Sequence, residues 1–129
     1  MIDDEFMERF ENCTLSAEAF HHADHVRMAF LYLSRYPVWE AVGRFSTSLM
    51  RFAAANRKPT RYNETITWAL LFLIRERMAR AGAQQTWVQF ASSNPDLLNW
   101  GDNILKRYYR DETLGSELAR RVFLLPDKV

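Results

Sequence analysis

Apolar side chains recur at three- and four-residue intervals along most of this chain, and that spacing restricts what it can fold into more than any other feature. Val26, Ala29, Phe30 and Leu33 form one such series, and Val38, Val42, Phe45, Leu49 and Phe52 form another. A period near 3.6 places each series on one face of an α-helix, where it can be buried against a neighbour. The two-residue alternation of a strand is weak, with only Thr86 to Phe90 and Arg121 to Leu125 as short candidates. Just four glycines and four prolines occur, and they fall where helices should begin or stop. The pattern predicts an all-α fold, a compact single-domain bundle of five to seven helices spanning residues 1–129.

The helices can be placed from these signals. The first covers Asp3 to Glu11, with acidic residues in its opening turn, where they complement the helix dipole, and with Phe6 and Phe10 on one face. Ser16 is a candidate cap in the turn that follows, and Cys13 reads there as buried filler. The second helix covers Ala23 to Arg35, and the third begins at Pro37 and reaches Ala55. Residues 56–60 read as a loop. The fourth helix, Asn63 to Ala81, is apolar nearly all round and should be the central one, with Ile66, Ala69, Leu70, Leu73 and Ile74 as its core stripe. Shorter helices are expected at Thr86–Ala91, Asn103–Tyr109 and Leu114–Phe123.

Charge and cysteine content narrow the function classes. Seventeen Lys and Arg against sixteen Asp and Glu give a formal charge of +1, without the basic excess of a dedicated nucleic-acid binder. One basic stretch stands out: Arg51, Arg57, Lys58 and Arg61 fall in a segment with no acidic residue between Glu40 and Glu64. It reads either as a solvated helix end and loop or as a patch that faces an anion. A lone cysteine excludes an intrachain disulfide, which suits a reducing compartment. The acidic start does not resemble a secretory signal, and no apolar run approaches the ~18 residues of a membrane span. A cytoplasmic protein without membrane contact is expected. Glycine-rich phosphate loops, GxSxG and CxxC are all missing from the sequence.

The chemistry-bearing residues gather in one place. All three histidines, His21, His22 and His25, lie within five residues. On a helix His22 shares the phase of Val26, Ala29 and Phe30, and His25 lies at the edge of that stripe. Imidazoles facing inward need partners, because an unsatisfied buried polar ring is costly. Three readings follow: structural hydrogen bonding, a divalent transition metal held with help from another helix, or a general base that also orients a small molecule. Two histidines make an incomplete metal site, since a catalytic zinc has three protein ligands. The distant partner best suited to complete the site is Tyr62-Asn63-Glu64-Thr65-Ile66-Thr67, which opens the fourth helix. Asn63 is a natural N-cap and Glu64 a natural first-turn carboxylate. If Glu64 instead turns toward the imidazoles, it would be an acid/base group or an oxygen ligand.

These segments resemble a family of small, uncharacterised bacterial helical proteins. The resemblance rests on Phe20-x-His22-x-x-His25-Val26-Arg27, on Tyr62-Asn63-Glu64-Thr65-Ile66-Thr67, and on Leu114-x-Ser116-x-x-Ala119-Arg120-x-x-Phe123-x-x-Pro126-Asp127. It covers most of the chain. The family's second motif usually reads Tyr-His-Glu-Thr, and here Asn63 takes the place of that histidine. The resemblance implies one pocket formed by His22, His25, Asn63 and Glu64, approached by Ser116 and Arg120. If the family's site is a metal site built from three histidines, this chain has lost one of its ligands.

The expected function is therefore a His/Glu-lined pocket that serves small-molecule binding or metal-assisted catalysis. Catalytic roles would fall to His22, His25 and Glu64, metal ligation to the same three, and ligand contact to Asn63, Tyr62 and Trp68. The alternative is a non-catalytic interaction module, such as a homodimer joined through an aromatic helix face. Four tryptophans and five tyrosines, including Tyr108 and Tyr109, would supply that face.

Overall fold

A computed structural model describes residues 1–128, and among them it contains helices and no strand. In chain order they are α1 (Asp3–Glu11), α2 (His22–Arg35), α3 (Val38–Ala55), α4 (Glu64–Arg80), α5 (Trp87–Ser93), α6 (Asp111–Leu114) and α7 (Glu117–Arg121). Short 3-10 turns lie at Ala17–Ala19, Pro59–Arg61, Pro95–Leu98 and Ile104–Arg107. The all-α bundle expected from the apolar spacing is what the chain forms, and no helix among the described residues is long and apolar enough to cross a membrane.

Local chemistry sets the helix boundaries. Asp24 accepts a bond from the His21 backbone N–H at 3.0 Å, so α2 begins one residue earlier than its apolar stripe suggests. Pro37 stands just before α3 as its N-cap. Asn63 caps α4, its Oδ1 accepting from the Ile66 N–H at 2.9 Å. Gly82, at φ +73°, adopts the left-handed conformation that glycine tolerates best and ends the chain's run past α4. Thr86 and Gln89 form a reciprocal capping box on α5, so Thr86–Phe90 is helical rather than a strand.

Two expectations for the C-terminal third fail. The helix expected across Asn103–Tyr109 is a single 3-10 turn, and that expected across Leu114–Phe123 is split into α6 and α7. Ser116 causes the split: its Oγ accepts from the Ala119 N–H at 3.1 Å and donates to the Thr113 carbonyl at 2.7 Å. A serine that captures nearby backbone groups in this way starts a helix rather than continuing one.

The core is built around α4, which packs against α2, α3 and α7. Phe10 of α1 is fully enclosed, its ring 5.5–6.2 Å from those of Phe20, Tyr32, Phe45 and Phe52. The α4 core stripe differs from expectation. Ala69 and Ile74 of the expected stripe are buried, and so is Leu71 outside it, whereas Ile66, Leu70 and Leu73 are half-buried. The helix is apolar on more than one side, so spacing alone does not say which side meets solid protein. Cys13, expected as buried filler, occupies a half-buried turn at φ 62°.

The aromatic residues are mostly internal. Trp87 packs beside Phe30 and Phe90, Trp68 stacks on Phe123, and Tyr109 is buried, whereas Tyr108 and Trp39 are exposed.

Candidate functional site

Between α2, α3 and α4 lies a cavity of about 550 Å³. Its apolar walls include Val26 and Ala29 from α2, Phe45, Leu49 and Phe52 from α3, and Ile66, Leu70 and Ile74 from α4. The half-burial of Ile66 and Leu70 has its cause here, since they face this space instead of packed side chains. The polar lining is supplied by Glu18, His21, His22, His25, Asn56, Lys58, Arg61, Tyr62, Asn63 and Thr67. A volume of this size falls in the range of small-molecule sites, which combine apolar walls with a few polar groups.

His22 is anchored. Its Nε2 donates to the Leu97 carbonyl at 2.8 Å, because a carbonyl can only accept. Its ring lies 4.7 Å from that of Trp100, which also borders the cavity. The Leu97 carbonyl is itself held in place through its neighbour: Arg77 of α4 makes a two-pronged ion pair with Asp96, at 2.8 and 3.1 Å, and also donates to Asn94 at 2.8 Å. Burial lowers the His22 pKa, opposed by the Leu97 bond. The neutral ring therefore keeps Nδ1 as an acceptor.

His25 differs. Its ring lies 4.1 Å from that of Phe20 and has no hydrogen-bond partner among the described residues. Desolvation, reinforced by nearby His22, pushes its pKa down to about 4. At neutral pH it is an uncharged imidazole with one donor and one acceptor. Thr67, also nearly buried, lines the same cavity, and its hydroxyl likewise has no partner among the described residues.

The other expected site residues divide. Asn63 borders the cavity, but both ends of its amide are engaged: Oδ1 caps α4 and Nδ2 donates to the Leu114 carbonyl at 2.9 Å, tying α4 to α6. Tyr62 is buried in the wall, and its hydroxyl donates to Glu64 Oε1 at 2.5 Å. Burial, and then this bond, raise its phenol pKa well above the ordinary value. Glu64 is thus held by Tyr62 and is not among the cavity's lining residues. Trp68 also lies away from the cavity, its Nε1 donating to Ser46 at 3.0 Å. Ser116 caps α7 and Arg120 pairs with Glu117, so neither borders the cavity.

The residues present do not fit the metal ion suggested by the histidine spacing. Among the described residues no three His, Cys, Asp or Glu side chains converge as a metal site requires. His22 spends one nitrogen on Leu97, and Glu64 is taken by Tyr62. The sequence reading also missed much of the site. Phe45, Leu49 and Phe52 read as core because wall and core share one apolar pattern, and the Leu97 carbonyl, a backbone group, has no sequence signal. No family model, curated protein or solved structure matches this chain.

Proposed function

We propose that this protein binds a small, largely apolar organic molecule in the cavity between α2, α3 and α4. One observation carries the reading: His25 and Thr67 present unpartnered polar groups to a space with apolar walls. A few polar groups placed along apolar walls in this way fix the orientation of a bound molecule. The cavity volume of about 550 Å³ accommodates a molecule of metabolite size. Two of the three motifs behind the family resemblance, at Phe20 to Arg27 and Tyr62 to Thr67, contribute to its walls.

The test uses Nile red, an uncharged dye whose emission depends on polarity. Saturable binding near one dye per chain is expected. Leu70→Trp, which places an indole in the cavity, should abolish it while far-UV circular dichroism and melting temperature stay near wild type. If that variant does not fold, Ala29→Leu is the smaller filling change. No saturable binding, or binding indifferent to a folded filling variant, overturns the reading.

A further inference from the structure

Resting on that reading, we propose that the ligand is amphipathic, an apolar body carrying one anionic group such as a carboxylate, with the anion held at the Lys58 and Arg61 side of the cavity. The walls provide for the body: Val26, Phe45, Leu49, Phe52, Leu70 and Ile74 offer no charge.

Three observations specify the anion. Lys58 and Arg61 both line the cavity, and neither has a carboxylate within ion-pair distance among the described residues. The one acidic lining residue is Glu18, whose carboxylate accepts from the Ser16 hydroxyl at 2.8 Å. The charged side chains of the lining therefore sum to one net positive charge (two cations less one carboxylate). Second, α2 and α4, of 14 and 17 residues, both begin at this cavity, at His21–His22 and at Asn63. A helix N-terminus carries partial positive charge and unpaired N–H groups, which favour anions. The carboxylates nearest these two ends, Asp24 and Glu64, accept from the His21 N–H and the Tyr62 hydroxyl, and neither lines the cavity.

The third observation is that α3 ends at the same cavity, yet its C-terminal carbonyls are covered. Asn56 Nδ2 donates to the Phe52 carbonyl at 2.8 Å, the Lys58 N–H to Ala53 at 2.8 Å and the Arg57 N–H to Ala54 at 3.0 Å. The carbonyl end of α3 is thus screened and does not oppose an anion in the cavity. His25, half-buried against Phe20, adds a neutral donor at the cavity wall.

The experiment is calorimetric titration of the full chain with octanoate and 1-octanol at low ionic strength and pH 7.5, below the aggregation limits of both. Octanoate should bind at least about tenfold more tightly, the scale of one hydrogen bond to a charged group. That advantage should shrink as salt is added. In Lys58→Gln/Arg61→Gln octanoate should fall to the affinity of octanol. These positions are exposed, so the variant should fold. Octanol binding as tightly as octanoate, or a preference that survives the double substitution, overturns the anionic assignment and leaves the cavity reading standing. Failure of both probes, together with failure of Nile red, overturns both.

Discussion

His25 shows how much of this site depends on one ring's surroundings. Packed on Phe20 and without a hydrogen-bond partner, it is easier to keep neutral than to charge, and its pKa falls to about 4 from the ordinary 6.5. The direction of the pH effect follows. Between those two values the unfolded chain takes up the proton and the folded chain refuses it, so stability is complete above pH 6.5 and declines as pH falls toward 4. The loss attributable to His25 should be on the order of 2–3 kcal/mol at pH 4. Urea unfolding of wild type and His25→Gln at pH 7.5, 5.5 and 4.5 isolates it from the carboxylates, which both proteins share. The wild-type curve should fall more steeply over this range; parallel curves would show that His25 is solvated in the fold. His22 moves in the same direction, but its bond to Leu97 opposes the shift.

At the scale of the element, α4 separates two kinds of apolar side. Leu71 is fully enclosed, while Leu70 borders the cavity. Leu71→Ala should cost about 2–5 kcal/mol, since it removes packed methyl groups and leaves a void. Leu70→Ala merely enlarges a space that already exists, and should cost less than half as much. Denaturant midpoints of the two variants check the order, and a larger loss at Leu70 would place the solid core on the other side of α4. Of the sequence stripe Ile66, Ala69, Leu70, Leu73 and Ile74, Ala69 and Ile74 are buried while Ile66, Leu70 and Leu73 are half-buried, so the stripe straddles the two sides. Helical spacing alone located α1 through α4 to within about two residues, because each is long enough to repeat its apolar phase and has caps such as Asn63. It failed for α6 and α7, which at four and five residues are too short to show a period. The cavity lining was legible where chemistry-bearing types cluster, at His22, His25, Tyr62 and Asn63. The orientation of Glu64 was not, because the choice between the imidazoles and Tyr62 depends on side-chain geometry that spacing does not encode.

Across the whole molecule, the C-terminal segment beyond α7 is a strap, extended like the short strand suspected at Arg121–Leu125 but paired with a helix instead of another strand. Thr65, fully buried in the first turn of α4, donates to the Val122 carbonyl at 2.8 Å and accepts from the Leu124 N–H at 3.0 Å. Tyr109 donates to the Leu124 carbonyl at 2.7 Å, and Phe123 is wedged between Trp68 and Phe72. Asp127 accepts from the Arg110 N–H at 3.0 Å and from the Thr113 hydroxyl. The strap thereby fastens α6 and α7 to the helix whose other side walls the cavity. Thr65→Val keeps the shape and removes both bonds, leaving a carbonyl and an N–H of the strap unsatisfied. It should cost about 1–3 kcal/mol. Hydrogen exchange should show where that loss falls. The Leu124 amide should exchange faster by at least about tenfold, whereas amides in the middle of α2, which the strap does not touch, should change only as far as global stability does. Equal acceleration everywhere would mean that the strap and the helical core open together as one cooperative unit. Unchanged exchange at Leu124 would mean that Phe123 and Tyr109 hold the strap without Thr65.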